Sequence, residues 1–119
     1  DRSALLRSPL VGVAQAVALG AITVQNIGAS LPRPTPLVGG GTHDPVFRQL
    51  LADSTGLPLA VMDAPDAAVI GAALLGAGLT SLPVPPNWSD VVVPNRETVE
   101  YLRAQRDIMI EKITEQENP

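Results

Sequence analysis

The chain reads as an α/β domain in which short parallel strands pack with helices. Three observations predict that class. Apolar runs alternate between helical and strand length, in the order helix, strand, helix, strand, helix, extended crossing, helix. Glycines and aspartate- or asparagine-led starts punctuate the junctions between them. Apolar residues make up 45% of the chain, while only 3% is aromatic and 17% charged, so Ala, Val, Leu and Gly build the interior. Small apolar residues suit helices packed closely on a sheet, and alternating strands and helices imply βαβ connections.

Residues 4–27 predict a long helix, with Pro9 tolerable only near its first turn. Leu10, Val13, Val17, Ile22 and Val24, with intervening alanines, leave it no polar face, which marks a buried helix. Little chain remains to surround it, so a partner surface is expected. Its uncharged run 10–24, fifteen residues interrupted by Gln15, is shorter than a span needs, roughly 20 residues. No membrane role is expected.

A loop with Pro32 and Pro34 leads to a short strand at Leu37-Val38. Residues 44–54 predict an amphipathic helix with Phe47, Leu50 and Leu51 inward and Gly56 closing its C-terminus. Residues 57–62 predict a second strand. Asp63, with Asp66 three residues on, resembles a capping box for a helix running to about residue 79. That helix presents Ile70, Ala73, Leu74 and Ala77, and Gly71 and Gly76 would admit a neighbour. Residues 82–94 hold four prolines and predict an extended surface crossing anchored by Trp88. Asn95 caps a last helix to about residue 116 with Val99, Leu102, Met109 and Ile113 inward. Two strands make a poor sheet, which points to strands outside this sequence.

At 119 residues the chain fits one small domain. With no cysteine and a single histidine, disulfides, thiolate metal sites and multi-histidine sites are excluded. The net charge of −4 argues against nucleic acid bound through a basic surface. Asp1-Arg2-Ser3 begins no basic leader into an apolar stretch, so the cytoplasm is the expected compartment. Arg33 is the only charge between Ser8 and Thr42, whereas six of the twelve acidic residues fall in the last 23 positions. The first third therefore reads as interior and the last quarter as a solvated helix, with Arg103 and Asp107 an attractive i,i+4 pair.

The most informative stretch is Pro36-Leu37-Val38-Gly39-Gly40-Gly41-Thr42-His43-Asp44-Pro45-Val46-Phe47. Three glycines let a backbone pass close to a bulky ligand with no Cβ between. Asp44-Pro45 then opens a helix, carboxylate at the N-cap and proline at the first helical position. A glycine bend feeding a helix start aims N–H groups outward, which suits phosphate. The candidate cofactor-binding residues are Gly39, Gly40, Gly41, Thr42 and Asp44. His43 reads as an exposed loop residue, and Asp44 as a cap rather than a base, since a base needs a substrate hydroxyl in reach. Arg48 and Asp53 read as a solvated helix face. No catalytic or metal-ligating residue is assigned.

Leu37-Val38-Gly39-Gly40-Gly41-Thr42 resembles the adenosine-contacting motif of the actin-like ATPase superfamily, whose fold is ribonuclease H-like. Asp63-Ala64-Pro65-Asp66-Ala67-Ala68-Val69-Ile70-Gly71-Ala72-Ala73 resembles the helix that follows it in the chaperones and kinases of that superfamily. Between them, Asp44-Pro45-Val46-Phe47-Arg48-Gln49-Leu50-Leu51-Ala52-Asp53-Ser54-Thr55-Gly56-Leu57-Pro58-Leu59 closely resembles FGGY carbohydrate kinases, especially xylulokinase-like and ribulokinase-like members. Val93-Pro94-Asn95 leading to Tyr101 is similar to that family's closing helix. Upstream, Arg7 and Val11-Gly12-Val13-Ala14 stand where those kinases carry an Arg-Ala…Glu-Gly-Val/Ile-Ala helix. Ser8 replaces the alanine, Pro9 interrupts, and Val11 replaces the glutamate.

The resemblance implies a partial actin-like ATPase domain. Residues 1–82 would be part of the C-terminal nucleotide-binding lobe, 83–94 the proline-rich crossing and 95–119 a helix packing on that lobe. It implies transfer of the γ-phosphoryl of MgATP to a sugar or polyol hydroxyl, with ATP and Mg as cofactors. The phosphate loop, catalytic aspartate and sugar site of such kinases would lie in an N-terminal lobe, leaving this piece inactive alone. The expected partners are that lobe or another copy of the chain. Two other readings stay open: a lobe of a chaperone-like or actin-like ATPase, and a non-catalytic fragment that binds a partner chain.

Overall fold

The computed structural model describes residues 1–62, 66–79 and 87–118. Helix α1 spans Arg2–Asn26, strand β1 Thr35–Leu37, helix α2 Pro45–Thr55 and strand β2 Leu59–Met62. Helix α3 spans Ala67–Gly76, strand β3 Trp88–Val92 and helix α4 Arg96–Glu117. A single 3₁₀ turn, Gly40–His43, joins β1 to α2.

The sheet has the order β1-β2-β3. β1 and β2 run parallel, with Thr35 opposite Leu59, Pro36 opposite Ala60 and Leu37 opposite Val61, as the βαβ reading expects. Pairing starts earlier than Leu37 because the Thr35 N–H donates to the Pro58 carbonyl at 2.8 Å. Pro36 lacks an N–H and is tolerated because β1 is an edge strand among the described residues. The segment expected to be a crossing contributes β3, which pairs antiparallel with β2 and makes the sheet mixed. Its prolines fall outside the strand itself, so Trp88–Val92 can donate to a ladder.

The core lies where α1 and α2 cross over β2. Ala14, Leu51, Ala52, Leu57 and Leu59 form it, with Leu31, Leu37, Phe47, Leu50 and Val92 packed against it. α2 forms as its sequence dictates: the Asp44 carboxylate accepts the Val46 N–H at 2.9 Å, and Gly56 closes the helix at φ 68°. Gly56 donates its N–H to Ala52 at 2.8 Å, a left-handed cap that costs a side-chain-bearing residue about 1–2 kcal/mol. Asn95 caps α4, its side-chain oxygen accepting from Glu97 and Thr98.

Four expectations are corrected. Helix α1 is not interior within this chain: only Ala14, Gln15 and Ala18 are buried, while Leu5, Leu6, Val13 and Ile27 are exposed. At 25 residues it is long and apolar enough to cross a membrane, by length and composition alone. Asp53 and Arg48 are not a solvated face. Asp53 is buried, and Arg48 is mostly covered and lies 3.7 Å from Asp90. Trp88 is half exposed rather than packed down. On α4, the i,i+4 ion pair is Arg96–Glu100 rather than Arg103–Asp107, and Ile113 is exposed. The expected cap Asp63 lies outside the described residues. Asp66 precedes α3 in the left-handed region at φ 59° without a side-chain cap.

Buried polar groups hold the last helix on. The Asp53 carboxylate accepts from the Gln49 side chain at 2.9 Å and the Asn95 N–H at 2.7 Å. The Gln49 amide also donates to the Val93 carbonyl at 3.0 Å. Further along, Arg106 donates to the Ser54 carbonyl at 2.8 Å and to Gln15 at 3.3 Å, while Gln15 donates to the Leu102 carbonyl at 2.9 Å. The buried charges of Asp53 and Arg106 thus find hydrogen-bond partners, as burial requires, whereas the covered Nε of Arg48 has none among the described residues.

Candidate functional site: the glycine turn

The parallel β1–β2 pair delivers the chain to a bend at the carboxyl end of β1. Gly39 takes φ 118°, a conformation closed to L side chains without strain. The chain then turns through Gly40–His43 and enters α2. Gly39, Gly40, Gly41, His43 and Asp44 are exposed, whereas Thr42 is buried.

Each residue has a distinct place in this bend. The Thr42 hydroxyl donates to the Gly39 carbonyl at 2.6 Å, and the Thr42 N–H reaches the same oxygen at 3.0 Å. Thr42 therefore closes the turn from inside, and its side chain faces the protein. A Cβ on Gly41 would stand 3.2 Å from the Phe47 ring, so this glycine admits the ring that seals the turn against the core. A Cβ on Gly39 or Gly40 would meet no atom within 4 Å. Their smoothness is not demanded by packing inside this chain. It leaves bare main chain facing outward.

Asp44 is a cap, as its spacing predicts, and Pro45 contributes no N–H. The N-terminus of α2 is consequently occupied by a carboxylate and short of one donor. An incoming phosphate would meet negative charge there, so the donors suited to a ligand are those of the glycine turn. The first N–H groups of a helical turn lack intrahelical acceptors, and in this turn they belong to Gly40 and Gly41.

The turn faces open solvent. Concavities of about 410 Å³ on α4 and about 510 Å³ between α1, α2 and α4 lie away from it. Among the described residues no three Asp, Glu or His side chains converge to hold a metal.

Residues 1–79 match the family model of the C-terminal domain of the FGGY family of carbohydrate kinases. The chain belongs to that family. This FGGY domain superposes on xylulose kinase from Rhodospirillum rubrum with a TM-score of 0.71 and 25% identity over 96% of its length. It superposes on a xylulose kinase from Brucella ovis with a TM-score of 0.73 and 23% identity over 98% of its length. It covers 24% and 26% of those two chains, about a quarter of each. The likeness extends past the matched residues to β3 and α4. No curated protein matches the chain. The FGGY fold of these neighbours agrees with the actin-like α/β class expected from the sequence.

Sequence reasoning missed Asp53 and Arg106 as buried structural groups, and the half-buried Gln49 that bonds Asp53. The signal was present in part: Arg106 is spaced four residues from the inward-facing Leu102 and shares its face of α4.

Proposed function

We propose that this FGGY domain supplies the nucleotide-side wall of a sugar or polyol kinase. The parent enzyme would move the γ-phosphoryl of MgATP to a substrate hydroxyl. The observation carrying this reading is the solvent-open main chain of the turn, above all at Gly40, whose missing side chain neither packing among the described residues nor a positive φ explains. Bare backbone can approach a nucleoside closely, and the exposed N–H groups of Gly40 and Gly41 can donate to ribose or phosphate oxygens. Thr42 and Asp44 act by shaping the turn: one closes it from within, the other caps α2.

Phosphoryl transfer is largely positioning and charge stabilisation. The turn positions the nucleotide, and Mg²⁺ when bound would neutralise phosphate charge. Mg²⁺ is commonly held by phosphates and one or two carboxylates, so we assign it to the nucleotide and the remainder of the kinase. The base and the sugar site are assigned to that remainder too, in the cytoplasm. The chain alone is then catalytically silent, and phosphorylation of a sugar by the pure 119 residues would refute that assignment.

The decisive variant is Gly40→Val in the kinase that carries these residues. Its Cβ meets nothing among the described residues, so folding is retained while the ligand side is obstructed. KM for ATP is expected to rise at least tenfold with KM for the sugar nearly unchanged. An unaltered KM for ATP would sink the reading.

The exposed apolar residues of α1 and α3 favour a complementary role in partner binding. Leu5 and Leu6 on α1, Ile27 at its C-cap, and Val69 and Leu75 on α3 are each more than 65% exposed. Such surface marks an interface, and the rest of the kinase is the proposed occupant.

A further inference from the structure

A second site of opposite character lies on the other side of the core. The cavity of about 510 Å³ is walled by the C-terminal half of α1, the end of α2, the loop before β1 and the middle of α4. Its volume is that of a small-molecule site. Arg33, Arg103 and Arg106 all line it, with Gln25 and Thr55 beside them and Asp107 as its one carboxylate.

The cations are poorly compensated. Arg106 is 7% exposed, yet its partners are a backbone carbonyl of Ser54 and the neutral side chain of Gln15. Both bonds use Nη1, and a guanidinium carries five N–H donors. Arg103 precedes Arg106 by three positions and shares its helix face. Arg33 reaches the same cavity from a different element. Among the described residues the ion pairs are Arg48–Asp90 and Arg96–Glu100, so none of the three arginines has a carboxylate within 4 Å.

A structural role accounts for part of this. Arg106 at the C-terminal end of α2 answers the helix dipole and an orphan carbonyl. It accounts for neither Arg33 nor Arg103, which contribute nothing to that cap. Three guanidinium groups from two elements, facing one cavity with a single carboxylate, are a receptor for a compact dianion. Planar guanidinium forks match phosphate oxygens, often two at a time.

We propose that this cavity binds a small phosphate-bearing anion, separate from the glycine turn. The proposal does not depend on the nucleotide reading.

The test is calorimetric titration of the full-length protein with inorganic phosphate at constant ionic strength, chloride being the control. Arg33→Gln and Arg103→Gln alter exposed side chains and leave the core intact, so each is expected to weaken binding at least fivefold. Asp107→Asn removes the one opposing charge and is expected to tighten it by a similar factor. Gly40→Val is expected to leave phosphate binding here unchanged while it impairs ATP, which separates the two sites. Absence of binding at millimolar phosphate, an equal response to chloride, or affinities indifferent to Arg33→Gln and Arg103→Gln would each overturn the proposal.

Discussion

The Asp53 carboxylate accepts the backbone N–H of Asn95 at 2.7 Å, joining the last turn of α2 to the residue that caps α4. Asn95 in turn accepts from Glu97 and Thr98, so one buried side chain sets where the last helix begins. Asp53→Ala leaves that N–H without its acceptor and takes one of two acceptors from the Gln49 amide, which still donates to the Val93 carbonyl. A loss of about 1–3 kcal/mol per unsatisfied group is expected. Urea unfolding of the variant checks this, and an unchanged midpoint would remove Asp53 from the account.

Gly39 and Gly40 separate backbone strain from ligand access. Gly39→Ala places a side chain at φ 118° and is expected to destabilise by about 1–3 kcal/mol. Gly40→Ala meets open space at ordinary φ and is expected to leave the melting temperature within a degree or two while weakening nucleotide binding. Paired thermal melts and ATP titrations distinguish the two. Equal destabilisation by both would show that the glycines of the turn serve folding alone.

Gly41 behaves differently again. A methyl there stands 3.2 Å from the Phe47 ring, closer than ordinary contact. Gly41→Ala is expected to displace the ring and cost about 1–3 kcal/mol, the usual range for overpacking. Phe47→Leu in the same chain should recover part of that loss in a double-mutant cycle.

Arg106→Met tests the tie between α1, α2 and α4. It removes the donors to Ser54 and Gln15 while keeping most of the apolar stem. Unfolding is expected to become easier by about 1–3 kcal/mol. In hydrogen exchange the half of α4 after Leu102 should lose protection first, since Ile108, Ile110 and Ile113 are exposed and give it little other anchorage.

The exposed side of α1 predicts association of the chain taken alone. Leu5, Leu6, Val13 and Val17 present apolar surface that the core does not use. Sedimentation of the isolated chain should show concentration-dependent self-association, and Leu6→Glu with Val13→Glu should reduce it. A monomer at all concentrations would show that this helix needs no cover.

What the sequence disclosed was local. Asp44, Gly56 and Asn95 act through their own backbone neighbours, so the ends of α2 and the start of α4 were legible from residue type and spacing. The parallel pairing of β1 with β2 followed from the helix between them. What depended on distant chain was not legible. Asp53 looks like one more polar residue on an amphipathic helix until Asn95, 42 positions away, arrives to bond it. β3 was hidden among prolines whose positions relative to the ladder cannot be known before the ladder exists. Helix α1 shows no polar face in the sequence, but its exposure could be seen only once the core proved too small to cover it. At the candidate site, the open glycines were legible and the inward turn of Thr42 was not.

That inward turn has a kinetic implication. Because the Thr42 hydroxyl already braces the Gly39 carbonyl from beneath, the bend stands ready-made before anything docks against it. A visiting molecule would find its seat assembled, and none of its adhesion would be diverted into organising the loop. Thr42→Val, which keeps the shape and deletes the brace, would slow arrival or hasten departure while contacting nothing that arrives.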